Sequence, residues 1–172
     1  AEVNREGLPA PSEADAALLQ CINATLQELE RGLVQRGAEV RILLLAMFCQ
    51  EHVLMLGPPG TAKSMLAGRL AKLGESGALY FERLLTRFSV PEELFGPLSL
   101  QALEQDEYLR RTEGFLPTAT IAFIDEIFKA NSAILNTLLT LLNERVFDNG
   151  ATRQRVPLQC LVGASNEPPE SE

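Results

Sequence analysis

The chain has 172 residues, 46% hydrophobic and 22% charged, a balance that fits one soluble globular domain with a core of its own. Its 23 acidic residues outweigh 15 basic ones for a net charge of −8, which argues against broad contact with a nucleic-acid backbone. Three widely spaced cysteines and a single histidine, His52, form no metal-ligand or disulfide pattern, so the thiols are expected to be buried and free in a reducing, cytoplasmic setting. The sequence shows neither a basic-then-apolar leader nor an apolar run of membrane-spanning length.

Residues 1–11, with Pro9 and Pro11, read as a flexible lead-in to a domain covering 12–172. Ser12 with Asp15 three residues later predicts a capped helix start. Leu19, Ile22, Leu26 and Leu29 recur at spacings of three and four, an amphipathic helix that should stop near Gly32. Val40, Leu43, Leu44 and Met47 predict a second helix after Gly37. The run HVLML, His52 to Leu56, is apolar throughout and ends in Gly-Pro, as a strand buried on both faces would. Leu66, Leu70 and Leu73 mark a third helix, closed by Gly74.

ALYFERLL, from Ala78, reads as another strand, whereas SLQALEQDEYLRR, from Ser99, fits a short hairpin or a helix equally well. TIAFI, before Asp125, is a buried β-branched and aromatic strand. SAILNTLLTLLNER is a helix capped by Asn131 or Ser132, with Ile134, Leu138, Leu141 and Leu142 inward. FDNGAT carries an Asn-Gly hairpin signal, and LQCLVGAS is a last apolar strand ending at Asn166. Strands alternating with helices predict an α/β fold, a three-layer αβα arrangement on a largely parallel sheet.

Three short stretches carry chemistry. GPPGTAKS, Gly57 to Ser64, lies between a strand and a helix, where backbone N–H groups can curl around a phosphate and the helix N-terminus adds positive charge. Gly57 and Gly60 permit the turn, Lys63 offers an ammonium to the β- and γ-phosphates, and Ser64 offers a hydroxyl to Mg²⁺. The strict pattern has glycine where Ala62 stands. That position should already be entering the helix, where alanine is comfortable and costs little. In IAFIDEIFK, Asp125 and Glu126 end a strand at the carboxyl edge of the sheet. There one acid can hold the Mg²⁺ hydration shell and the other can activate water. Asn166 ends a further strand at the same edge and could hold the attacking water or the γ-phosphate in line.

Taken together, EHVLMLGPPGTAKS, TRFSVPEELFGPLSL, RRTEGFLP, IAFIDEIFKANSAILNTLLTLLNERVFDNG and VGASNE resemble, in order, the MoxR family of AAA+ ATPases in its RavA-like branch, where alanine before the loop lysine is usual. The resemblance covers about Gly32 to Glu167. It implies a P-loop NTPase core that binds ATP and Mg²⁺. Walker A would be Gly57, Pro58, Pro59, Gly60, Thr61, Ala62, Lys63 and Ser64, with Met65 completing the nucleotide-contact run. Asp125 would serve Mg²⁺, Glu126 would be the hydrolytic base and Asn166 sensor 1. It further implies hexameric rings that remodel protein clients, often with a von Willebrand factor A domain partner. SLQALEQDEYLRR and the FDNGAT hairpin fall at family insertions expected to face the ring's pore or the client. Adenine is expected near Leu33 to Arg36.

The sequence departs from the family at NEPPESE: the arginine finger, last core strand, sensor 2 and helical lid of the family follow that point, and the chain therefore reads as truncated after sensor 1. The open edge would then fall on the HVLML strand, and hydrolysis by the chain alone would be weak. Arg145 could substitute for the finger, but its place at a helix end points to a surface salt bridge. Two rival readings share the loop. A P-loop kinase is disfavoured by Glu126, since a water-activating base would waste ATP. A non-catalytic nucleotide-binding module is disfavoured by the complete set Lys63, Asp125, Glu126 and Asn166.

Overall fold

The computed structural model describes residues 12–58, 60, 62–73 and 79–167. The lead-in of residues 1–11, the loop residues Pro59 and Thr61, and the expected helix stop at Gly74 lie outside them. The chain divides into two compact units between Arg41 and Ile42.

The first unit begins with helix α1, Glu13–Glu30, whose start is the expected capping box. Ser12 Oγ accepts the Asp15 N–H at 3.2 Å, and the Asp15 carboxylate accepts the Ser12 N–H at 2.8 Å. Such a cap contributes about 1 kcal/mol to a helix. Helix α2, Gly37–Cys49, crosses the division, and its Val40, Leu43 and Leu44 are buried as the spacing predicts. The junction Leu33 to Arg36 belongs to the first unit.

In the second unit, strands β1 (Val53–Leu56), β2 (Tyr80–Leu84), β3 (Ile121–Asp125) and β6 (Cys160–Ser165) form one parallel sheet in the order β1-β6-β3-β2. The two central strands are buried almost throughout, which explains their uninterrupted apolar spelling. Strand β1 is different. Among the described residues it pairs only with β6, so the open edge expected on the HVLML run is there. Leu54 and Leu56 remain about half exposed, however, so the strand is not buried on both faces as its spelling predicted. An apolar spelling reports that a strand is suited to a sheet interior, not which face another layer covers.

Helices α3 (Lys63–Ala71) and α6 (Ser132–Glu144) supply apolar faces to the sheet domain. Asn131 caps α6 by accepting the Ile134 N–H at 3.1 Å, and its Nδ2 donates to Ser89 O at 2.9 Å. Ile134, Leu138 and Leu141 then join Phe81, Phe95 and Leu161 in the core. Each such side chain, fully buried, contributes roughly 1.5–3 kcal/mol by removal from water. His52, just before β1, ties the same region together. Its Nδ1 accepts the Leu161 N–H at 3.0 Å, which leaves the proton on Nε2, 3.2 Å from Leu142 O.

Of the two forms open to the SLQALEQDEYLRR segment, the short helix is the one that forms. Helix α5, Leu100–Leu103, is capped by Ser99, and the chain around it closes through an antiparallel bridge between Leu98 and Arg110. It follows the short helix α4, Glu92–Phe95, which ends at Gly96. Here only glycine fits: φ is +93°, and a Cβ would stand 1.9 Å from Arg111 O. The FDNGAT hairpin forms as β4 (Val146–Asn149) and β5 (Thr152–Arg155).

Two expectations fail at single residues. Of the three thiols only Cys160 is buried, and burial pushes its pKa up to about 11 against the pull of the Arg145 charge. Cys21 and Cys49 are exposed, because each lies off the buried stripe of its helix. Among the described residues Arg145 makes no salt bridge. Its guanidinium donates to Leu158 O at 2.8 Å and to Gln50 O, closing the end of α6 with backbone carbonyls.

Candidate functional site

The chain leaves β1 and reaches β2 at the far edge of the sheet before returning through β3 to β6, which lies beside β1. Open α/β sheets of this kind bind ligands at the carboxyl ends of their strands. Lys63, Glu126 and Asn166, drawn from three separate stretches of sequence, meet there.

Lys63 opens α3 and is only 8% exposed. Its Nζ donates to Gly57 O at 2.7 Å, Asn166 Oδ1 at 3.0 Å and Ser165 O at 3.2 Å. The Gly57 N–H also donates to Ser165 O, at 3.1 Å, so the loop is fastened to the end of β6 at two points. Asn166 faces Lys63 with its oxygen and donates through Nδ2 to Glu126 Oε1. On the other side, Glu126 Oε2 lies 3.3 Å from Lys129 Nζ. The result is one polar chain, Lys63–Asn166–Glu126–Lys129, across the ends of β6 and β3.

Two residues of this site hold a left-handed backbone without being glycine. Glu126, 8% exposed, has φ 54° and ψ 43°. Residues in that region cost about 1–3 kcal/mol and persist where their surroundings impose them. Ala62 has φ 61° and ψ 23° at the N-cap of α3. The expectation that Ala62 is already helical is therefore wrong. The chain must reverse just before the lysine so that the helix N–H groups face the loop, and glycine makes that reversal without a Cβ penalty.

The remaining expected residues fall around this chain. Ser64 and Met65 occupy the first turn of α3 and are exposed. Asp125 ends β3 half-buried, with its Oδ1 accepting the Glu126 N–H at 3.0 Å. Gly57, Pro58 and Gly60 lie in the loop, and Gly60, at φ +79°, has open space where a Cβ would point. Pro59 and Thr61 lie outside the described residues. Sequence reasoning missed Lys129 and the carbonyl of Ser165. A lysine three residues after the second acid was a visible signal for the first, whereas a backbone oxygen has none.

The donor set fits a nucleotide with a hard divalent ion. Among the described residues the buried loop ammonium has only neutral oxygens on it and no carboxylate, and it lies beside first-turn N–H groups that lack intrahelical acceptors. Among the described residues no cluster of three or more His, Cys, Asp or Glu side chains could hold a metal alone. Mg²⁺ does not need one, since it is ordinarily bound by one or two protein oxygens together with phosphate and water. No helix of the described residues is long and apolar enough to cross a membrane.

A parallel α/β sheet in this order, with a lysine loop after its edge strand and an acidic pair after a central one, defines the AAA+ class of P-loop ATPase folds. A protein of Cytophaga hutchinsonii described as a candidate ATPase shares this fold, with a TM-score of 0.68 at 20% identity over 93% of this chain and 49% of that one. Residues 20–172 match the model of the MoxR domain in the MoxR-vWA-beta-propeller ternary systems, and the chain belongs to that family. An uncharacterized protein of Methanocaldococcus jannaschii is 50% identical over 145 residues, 84% of this chain and 38% of that protein. The chaperone MoxR1 of Mycobacterium tuberculosis is 27% identical over 168 residues, 97% of this chain and 43% of that protein. The chain thus spans less than half the length of each of these proteins.

Proposed function

We propose that this chain binds ATP with Mg²⁺ and hydrolyses it, as the motor part of a protein that remodels protein clients. The observation that carries the reading is the direct hydrogen-bonded link from Lys63 through Asn166 to Glu126. A lysine at a helix start and an amide and a carboxylate just past two strand ends converge where a γ-phosphate and its attacking water would need them.

In this reading Lys63 leaves its three oxygens for the β- and γ-phosphates. Asn166 turns from Glu126 to the γ-phosphate or the water, and Glu126 accepts the proton as the water oxygen forms its bond to phosphorus. The bond to the β-phosphate oxygen breaks, and its electron pair stays with ADP. Mg²⁺, held by Ser64 Oγ and Asp125 together with phosphate and water oxygens, would neutralise the developing charge.

The family model's own description supports a von Willebrand factor A domain partner. We further assign the protein to hexameric rings in the cytoplasm, with the loop around α5 and the β4–β5 hairpin toward the client. The spelling of the long stretch from Ile121 to Gly150 supports a place near the RavA-like branch.

ATP turnover by the intact polypeptide carrying this chain, wild type against Glu126→Gln, tests the reading. Hydrolysis should collapse while ATP binding and an ATP-dependent ring survive. Unchanged turnover would remove Glu126 from its role, and phosphorylation of an acceptor in place of hydrolysis would replace the ATPase with a kinase.

A further inference from the structure

With Glu126 read as the base that takes the proton from water, one partner of its carboxylate still lacks a part in the reaction. We propose that Lys129 is a positioning residue, which holds Glu126 Oε2 so that Oε1 is the oxygen presented to water once Asn166 turns away. Among the described residues, the carboxylate has two side-chain partners: Asn166 Nδ2 on Oε1 and Lys129 Nζ at 3.3 Å from Oε2. In the resting arrangement both oxygens are engaged. Binding of nucleotide draws away Lys63 and Asn166, and Lys129 is the partner that stays.

The backbone is built to keep it there. Glu126, in its left-handed conformation, starts a 3₁₀ turn over Ile127–Lys129, in which the Lys129 N–H donates to Glu126 O at 2.8 Å. Side chains three residues apart eclipse one another in such a turn, which stacks the ammonium over the carboxylate. Both flanks are fixed. Ile127 packs on Gly163 so closely that a Cβ there would stand 3.0 Å from Ile127 Cδ1. Asn131, two residues after Lys129, caps α6 and binds Ser89 O. The burial is unequal as well: the Glu126 side chain is 11% exposed and that of Lys129 48%. Lys129 can thus steer a buried carboxylate from the rim of the site and can be replaced without opening the core.

The test uses Lys129→Met and Lys129→Arg. In the intact polypeptide, Lys129→Met should lower kcat about tenfold with KM and ATP affinity within about twofold, since a misplaced reacting group costs up to about a hundredfold. Lys129→Arg, which keeps the charge and a donor, should recover most of the rate. In the nucleotide-free 172-residue chain, Lys129→Met should move the side-chain amide resonances of Asn166, and Lys129→Arg should leave them near wild type.

An unchanged kcat in Lys129→Met, or a loss of ATP affinity matching the loss of rate, would overturn the positioning role. Asn166 resonances that stay still in Lys129→Met would overturn the clamp itself. A wild-type protein that hydrolyses no ATP would instead overturn the proposed function, and the Asn166 resonances would still report on the clamp.

Discussion

Asn149 and Arg110 meet as two β-strand backbones do. Asn149 Oδ1 accepts the Arg110 N–H at 2.7 Å, and its Nδ2 donates to Arg110 O at 3.1 Å. A buried side-chain amide thereby substitutes for a strand neighbour and binds the β4–β5 hairpin to the loop that follows α5. Gly150 keeps the approach close, because a Cβ there would stand 2.8 Å from Leu109 Cδ2 and 2.9 Å from Tyr108 O.

Replacing Asn149 by alanine leaves a backbone donor and an acceptor without partners. We expect a loss of about 2–3 kcal/mol in unfolding free energy, and no smaller loss for Asn149→Asp, whose second oxygen would face the Arg110 carbonyl in a buried place. Urea unfolding measures both, and limited proteolysis should find new cleavage between residues 104 and 110. Wild-type stability in Asn149→Ala would mean that the two segments do not depend on the amide.

Ala62→Gly gives a test of backbone conformation by sign. In a helix interior, alanine to glycine costs about 1 kcal/mol. At φ 61° the Cβ is itself the penalty, so Ala62→Gly should be neutral within about 0.5 kcal/mol, or stabilising. Ala67→Gly, buried on the same helix, should lose at least about 1 kcal/mol. Equal losses at the two sites would place Ala62 in the helix after all.

His52 makes stability depend on pH near neutrality. Burial holds its pKa below the ordinary value, the Arg145 charge adds to that effect, and the Leu142 carbonyl opposes it. Its Nδ1 accepts the Leu161 N–H and cannot also carry a proton. The unfolded chain takes up that proton first, near pH 6.5, so the contribution is complete above that pH. It is lost as pH falls toward the folded value, with a slope of at most about 1.4 kcal/mol per pH unit. Unfolding free energies from pH 8 to 5 should show this dependence in the wild type and a flatter one in His52→Gln. Identical profiles would release His52 from the role.

Much of this was legible in the sequence. The central strands β3 and β6 and the helix α6 announced themselves because burial on all sides, or on one stripe, leaves a pattern that no neighbour can disguise. Lys63, Glu126 and Asn166 could be chosen by residue type, and the structure brings all three together. The rest depended on relations that a string does not carry. Strand β1 spelled like one buried on both faces, yet Leu54 and Leu56 stay half exposed, because a run of apolar letters does not say which face another layer covers. Ala62 was misread because a small residue suits a helix, and only the loop's reversal shows that a left-handed backbone is required. Asn149 looked like a turn-former, whereas it ends the strand and pairs with a segment that follows α5. Lys129 was visible as a letter but had meaning only beside a carboxylate whose two oxygens could be told apart.

Ser165 contributes a single carbonyl that holds both the Gly57 N–H and the Lys63 ammonium, and Asn166 is the next residue along. The loop that ends at Lys63 and the proposed sensor therefore travel on the same strand end and are not two independently adjustable parts. A small slide of β6 against β3 would carry both of them past Glu126 together. Under the proposed reading, occupancy by nucleotide would be felt as a step rather than a gradient: grip on the phosphates and alignment of the water are gained in one movement and surrendered in one movement.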